Sequence, residues 1–356
     1  DCILVPLGDG IDARYMTQLR CSAMVLPTDG RAPIVVADRR SNNEWVPDPW
    51  QTGREWAEPM GEALRDLGFE RARIGVAGLK GGRVTHCYSM DGVVNHTALE
   101  TAMRKVPNAR FEDATDVIGL VRYVKSAEEI AFIRRSAEMA AAGLDELIRL
   151  ACPGVDAGIF YSDVLAKLLE LRSEYFPMTL TIDVIDTAKP QRFTNPPIGR
   201  RLEAGALITS EINAIMGAQL TQVCQPVLLG KIPDAWKPVV ALQREVYDAG
   251  LKTIKPGVSF GALEDFVSGF GSNRGMRAIL QMHGCGYGDD GPRFTLRTKN
   301  DGARDVAIEK NSTFVWKPMA LSADGQIHFT FGGPVIVTDN GCESLFKREP
   351  GLVAIG

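Results

Sequence analysis

Met282-His283-Gly284-Cys285-Gly286-Tyr287-Gly288, followed further along by Phe314-Val315-Trp316-Lys317-Pro318, are the two strings whose reading decides the fold. The first carries glycine at every second position of a strand-length segment. Glycine weakens a strand, so such alternation marks close approach of a ligand or of another stretch of backbone. It is not a phosphate-binding loop, because it lacks Gly-x-x-x-x-Gly-Lys-Ser/Thr spacing. His283 is one of only four histidines, with His86, His96 and His328. Imidazole is the side chain whose ordinary titration range suits proton transfer near neutrality. Lys317 stands in an otherwise apolar string. Lysine is seldom buried unless paired, since desolvation disfavours its charged form.

Working outward, the residues before these strings carry a weak internal repeat. Ala142-Gly143-Leu144 leads to Pro153-Gly154-Val155, and Ala249-Gly250-Leu251 leads to Pro256-Gly257-Val258. In each copy proline cannot continue a helix and glycine supplies the turn. An amphipathic helix is expected after each, which makes a duplicated α+β unit. Further toward the N-terminus, Ser126-Ala127-Glu128-Glu129 spells a capping box, with Ser126 as N-cap and Glu129 reaching back to it. The helix behind it places Ile130, Ile133, Ala137, Ala140 and Leu144 on one face.

The first third alternates strand and helix patterns. Cys2–Leu7, Ala23–Leu26 and Ala32–Ala37 read as short apolar strands, the last two joined by the Asp29-Gly30 turn. Trp56, Met60, Leu64 and Leu67 recur at helical spacing. A strand at Arg73–Ala77, a helix at Thr97–Val106 and a short strand at Ala109–Asp113 follow. This is an α/β domain, and the boundary is placed between residues 121 and 122. The chain opens directly on the strand Asp1-Cys2-Ile3-Leu4-Val5, and further residues are expected to precede it.

The two strings resemble the metal-site strands of the creatinase/prolidase/methionine aminopeptidase family, whose fold is called pita-bread. There the first string reads His-Gly-x-x-His-x-x-Gly and the second Val-Glu-Pro. Val121-Arg122-Tyr123-Val124-Lys125-Ser126 is similar to that family's interdomain junction, and the duplicated unit suits its architecture. The resemblance covers Val121 to the end. It implies a small N-terminal creatinase/prolidase-type α/β domain over 1–121 and a C-terminal pita-bread α+β domain over 122–356. Metallopeptidases of this family hold two divalent ions through four acids and a histidine, ligands that keep the ions Lewis-acidic while they activate water. Matched position by position, the first acid falls at Glu211, after Leu202-Glu203-Ala204-Gly205-Ala206-Leu207-Ile208-Thr209-Ser210. The second falls at Gln222, the histidine at Tyr287 and the third acid at Lys317. The last falls at Gly332, or at Phe331 or Gly333 if the register slips. Only Glu211 remains of the set. A lysine would repel a dication, and the charge compensation that two such ions need is missing. No metal and no cofactor is therefore expected.

The same family includes creatinase, a metal-free member that hydrolyses a C–N bond. Its catalytic His matches Tyr287 and its guanidinium-holding acids lie near Lys317 and Gly332, so a guanidinium substrate is not supported. The leading expectation is a metal-independent hydrolase cleaving an amide- or amidine-type C–N bond in a small carboxylate-bearing compound. His283 matches the family's cleft histidine and is assigned as base or acid, with Tyr287 as proton partner. Lys317 would supply fixed positive charge for a carboxylate or oxyanion. Arg192, near where peptidases of this fold keep another histidine, would pair a carboxylate bidentately. Glu211 and Gln222 would position water or substrate, with His328 and Arg293 lining the cleft and Asp289 and Asp290 on its rim. The alternatives are a non-catalytic binding module, in which Lys317 and Glu211 plug a disused site, and a metal-free lyase or decarboxylase. A metal-dependent Xaa-Pro peptidase ranks below these.

Bulk composition is that of an ordinary globular protein, and the length suits two domains. The chain has 356 residues, 45% hydrophobic and 24% charged, with net charge −4. That balance and the absence of Lys/Arg runs give no case for nucleic acid. No apolar stretch approaches membrane-spanning length, and no secretory signal opens the chain. Seven cysteines, an odd number with no Cys-x-x-Cys, argue for a reducing, cytoplasmic setting. Most read as buried small hydrophobes, and Cys285, inside the glycine string, is the one candidate for a functional role. The expected partners are a small-molecule substrate and a second copy of the chain. The resemblance implies a homodimer, and Asn42–Thr52, with Trp45 and Trp50, forms an irregular aromatic segment costly to expose.

Overall fold

The computed structural model describes residues 1–6, 15–17, 23–40, 49–53, 55–79, 94–184, 191–193, 199–296 and 301–356. Trp45, and most of the aromatic segment around it, lies outside the described residues, whereas Trp50 is exposed. The molecule divides into two compact units, Asp1–Arg122 with Tyr287–Asp289, and Tyr123–Gly286 with Asp290–Gly356. No helix among the described residues is long and apolar enough to cross a membrane.

The first unit is one six-stranded sheet built from β1 (Cys2–Val5), β2 (Ala23–Pro27), β3 (Ile34–Ala37), β4 (Gln51–Thr52), β5 (Arg73–Val76) and β6 (Arg110–Asp113), in the order β4-β3-β2-β1-β5-β6. The β2–β3 hairpin is antiparallel, and β1, β5 and β6 run parallel. Helices α1 (Ala57–Asp66) and α2 (His96–Lys105) pack on each other. A Cβ on Gly61 would lie 2.8 Å from the Ala102 carbonyl, so only glycine permits that crossing. Met60, Ala63 and Leu64 of α1 bury with Leu4, Val25, Val36 and Ile74 of the sheet. A third helix, α3 (Thr115–Tyr123), leads to the second unit.

The second unit opens on α4 (Ala127–Leu150), and its capping box is formed as the sequence spells it. Ser126 Oγ accepts from the Glu129 amide at 3.2 Å, and Glu129 Oε2 accepts from the Ser126 amide at 2.8 Å. Then come α5 (Ala157–Glu170), β7 (Thr179–Val184), β8 (Gln191–Phe193), β9 (Ala206–Met216), β10 (Gln219–Val223) and β11 (Val227–Leu229). The second half has α6 (Lys237–Thr253), α7 (Phe260–Ser268), β12 (Arg277–Ile279), β13 (Met282–Gly284), β14 (Thr313–Trp316), β15 (Met319–Leu321), β16 (His328–Thr330), β17 (Gly333–Val337), β18 (Cys342–Ser344) and β19 (Val353–Ile355).

The repeat is visible in the bonding. Gly154 and Gly257 both have left-handed backbone, with φ of 90° and 85°. Gly154 donates to Leu202 O and Gly257 to Ile308 O, and each turn ends at a helix N-cap, Asp156 or Ser259. The helical glycines of the repeat, Gly143 and Gly250, are both contact points. A Cβ at Gly143 would meet Leu168 Cδ2 at 2.6 Å, and one at Gly250 would meet the Trp316 ring, with Cη2 at 2.6 Å. Two sheets carry the residues of interest. One runs β19-β11-β9-β7-β8 with β10 on β9, and the other runs β13-β14-β17-β18. Single bridges from Leu220 to Gly286 and from Cys224 to Gly332 tie β10 to the second.

Candidate functional site

Strand period selects the site. Along β14, Trp316 turns to the helices, where its indole N–H donates to Tyr247 O at 3.2 Å. Alternate residues point oppositely, so Lys317 emerges on the face shared by Val315 and by its cross-strand neighbour His283. On β9, Ile208, Ile212 and Ala214 enter the core, which leaves Glu211 and Asn213 on the other face. Gln222 of β10 stands directly opposite Asn213.

These side chains meet around one cation. Lys317 Nζ donates to Glu211 Oε1 at 3.0 Å and to Gln222 Oε1. The lysine side chain is 4% exposed and the Glu211 side chain 30%, so the carboxylate is the group nearer solvent. His283 Nδ1 lies 2.8 Å from the Gly284 carbonyl, and its Nε2 lies 3.4 Å from Gln222 Oε1. A carbonyl can only accept, so Nδ1 carries a proton and Nε2 is the nitrogen turned toward the cluster. Cys224, which sequence reasoning passed over, also belongs here. Its thiol lies 3.9 Å from Gln222 Oε1. Burial pushes its pKa up to about 12, against a smaller opposite pull from Lys317, so it stays a neutral thiol. Parity along β10, with Gln222 and Cys224 on one face, was the signal that could have found it.

No protein-family model matches the chain. It is similar to an uncharacterized hydrolase/peptidase of Sinorhizobium fredii, 26% identical over 282 residues, 74% of this chain and 67% of that protein. It is also similar to the ectoine hydrolase of Halomonas elongata, 22% identical over 270 residues, 71% of this chain and 65% of that one. The matched segments span about two thirds of these relatives' length. Among solved structures, the X-Pro aminopeptidase of Thermotoga maritima superposes with a TM-score of 0.76 at 16% identity, covering 100% of this chain and 96% of that one. The chain has the pita-bread fold. As in prolidase and aminopeptidase P, an N-terminal domain precedes the pita-bread domain, and the Lys317 cluster lies in the latter.

The other expected residues lie on other stretches of the chain. Tyr287 belongs to the first unit, where its ring meets Tyr15 edge-on at 5.1 Å between centroids. His328 is exposed on β16, opposite Leu321, in the separate β12-β15-β16 sheet of the pita-bread domain. Arg293 is half-buried near β13, whose Met282 bridges Phe294. Arg192 lies on β8, opposite Thr181, and its side chain lies outside the described residues.

The rim expectation for Asp289 and Asp290 is corrected: both are buried. Asp290 pairs with Lys125 at 2.7 Å, with side chains 1% and 0% exposed. This pair also explains two of the glycines. A Cβ on Gly286 would lie 2.7 Å from Lys125 Nζ and closer still to Asp290 Oδ2, and one on Gly284 would strike the Asp290 backbone. Those glycines admit another stretch of backbone and a buried ion pair. Cys285 between them is fully buried, with its carbonyl accepting from Thr313 Oγ1 at 2.7 Å.

Position 332 has no room for an acid. A Cβ there would fall onto the Trp316 carbonyl and within 2.7 Å of Lys317 Cα, while its amide and carbonyl bond Cys224. The flanking positions are closed too: Phe331 packs on Tyr247 and Phe346, and a Cβ on Gly333 would meet Phe346 Cβ at 2.6 Å. Among the described residues no group of three or more His, Cys, Asp and Glu is placed to hold a metal ion.

Proposed function

We propose that the chain is a metal-independent hydrolase that cleaves a C–N bond, amide or amidine, in a small carboxylate-bearing compound. The observation that carries this reading is the Lys317 ammonium held between Glu211 and Gln222 within the pita-bread domain. The residues present do not suit two divalent ions. Lys317 donates to the oxygens a metal would take, Gln222 offers a neutral amide, and position 332 cannot carry a carboxylate. The lysine instead supplies fixed positive charge in a desolvated place, where it is worth more than in water. It would hold the substrate's carboxylate or stabilise a developing oxyanion. His283 would move the proton through Nε2, since Nδ1 is committed to Gly284. Glu211, the more exposed acid, would orient water.

The relatives named hydrolases and peptidases support an enzyme of the hydrolase class. Ectoine, the substrate in one relative's name, is a cyclic amidine bearing a carboxylate, so it is a fitting first probe. The test incubates chelator-treated protein with ectoine, creatine and an Xaa-Pro dipeptide and identifies products by mass spectrometry. Turnover of a carboxylate-bearing C–N compound, undiminished by chelation and lost in Lys317→Met, is expected. Creatine should not react. Activity that appears only when Mn, Co or Zn is added would overturn the reading.

A further inference from the structure

The cluster contains two carboxamides whose bonding runs in one direction. Asn213 Nδ2 donates to the carbonyls of Pro177 at 3.2 Å and Glu211 at 3.4 Å. Carbonyl oxygens only accept, so this amide cannot be turned round without setting its own oxygen against two others. Its Oδ1 therefore faces β10, where it accepts from Gln222 Nε2 at 3.0 Å. That bond fixes the second amide in turn. Gln222 Oε1 is left pointing at Lys317, and it accepts from the ammonium, with His283 Nε2 at 3.4 Å and the Cys224 thiol at 3.9 Å beside it. Both amides are more than nine-tenths buried, Asn213 at 5% and Gln222 at 7% exposure. Water cannot readily compensate a wrong orientation there.

We infer that Asn213 is the positioning residue of this site: through Gln222 it sets the polarity of the groups around Lys317. With the amide reversed, an NH2 group would face the ammonium and repel it. A glutamate at 222 could not donate to Asn213 Oδ1 and would neutralise the lysine further. The glutamine oxygen holds the cation without taking its charge. Nothing in the strand pattern of Ile212-Asn213-Ala214 marks this role, because Asn213 acts at one remove. The inference rests on the proposal that Lys317 is the working charge, but its test needs no substrate.

The experiment uses the full chain labelled with 13C-lysine, with the Lys317 13Cε signal assigned by its loss in Lys317→Met. Its pH titration is followed in wild type, Asn213→Val, Gln222→Leu and the double variant. Glu211, Cys224 and His283, which share the cluster with Lys317, are unchanged in all of these comparisons. Asn213→Val is expected to lower the Lys317 midpoint by about one pH unit, as the freed amide no longer holds its oxygen fixed on the cation. In the Gln222→Leu background the same change should do nothing further. If Asn213→Val does not fold, Asn213→Ala makes the same comparison. An unchanged midpoint in a folded Asn213 variant, or an equal shift with and without Gln222, overturns the inference. The expected shifts in a protein that turns over no probe would leave Asn213 in this role and remove the proposed reaction instead.

Discussion

Lys317 is the residue on which the functional reading turns, and one substitution separates a working charge from a plug. Lys317→Met is expected to abolish turnover at little cost in stability, because the Glu211 side chain is 30% exposed and water takes the place of its lost partner. If Lys317 merely seals a disused cleft against Glu211, the change strands a carboxylate instead. Unfolding by urea would then show a loss of about 3–5 kcal/mol, largely restored by adding Glu211→Gln. Binding retained alongside that loss would defeat the working-site reading. Cys224 offers an independent check on burial at the same place. Its folded pKa lies above the unfolded one, so the native state keeps the proton longer. The stability this confers is fully present below the unfolded value of 9.0 and is lost as pH rises toward about 12. Cys224→Ala should flatten the alkaline decline of stability by about 1.4 kcal/mol per pH unit above pH ~9. An unchanged slope in urea melts across that range would show that the thiol is not buried as described.

At the scale of elements, the helix–strand contact behind the site sets where Lys317 emerges. Gly250 of α6 receives the Trp316 ring directly, and Trp316 immediately precedes Lys317. In an open helix, Gly→Ala would stabilise by about 1 kcal/mol. Here the added methyl collides with a fully buried indole, so Gly250→Ala is expected to cost about 1–3 kcal/mol, the usual range for overpacking. Chemical denaturation measures it, and a stabilised variant would contradict the packing. The Lys125–Asp290 pair is a second element-scale device, because it grips the chain just beyond the glycine string. Both partners are almost fully buried, so Lys125→Met should destabilise by about 3–5 kcal/mol. The double change Lys125→Met with Asp290→Leu should recover most of that loss.

At the scale of the whole molecule, metal content and oligomeric state are the properties to measure. Elemental analysis of protein purified without chelator is expected to find no stoichiometric Mn, Fe, Co or Zn. Near-stoichiometric metal bound at the Lys317 cluster would overturn the ligand argument. The protein is also expected to be a homodimer. Light scattering at micromolar concentration gives the mass directly, and a monomer would contradict it.

Much of this was legible in the sequence because it depends on local rules. The strands and helices of the first domain follow from apolar spacing, the start of α4 from Ser126 and Glu129, and the two Pro-Gly turns from the φ values that only glycine adopts cheaply. The fold was implied by the resemblance of the two strings to the creatinase/prolidase family, and strands that cross a core hold their register through their apolar pattern. Tertiary structure decided which of the residues marked by the resemblance come within bonding distance. Glu211, Gln222, His283 and Lys317 converge because four strands from different parts of the chain turn the same face inward. Asn213 and Cys224 join them by parity with neighbours the sequence had already marked. His328, equally conspicuous in sequence, lies on another sheet, and Asp290 goes to a buried ion pair instead of a rim. A hydrogen bond or an ion pair needs atoms within about 3 Å, and separation along the chain says nothing about that distance until the sheets are assembled.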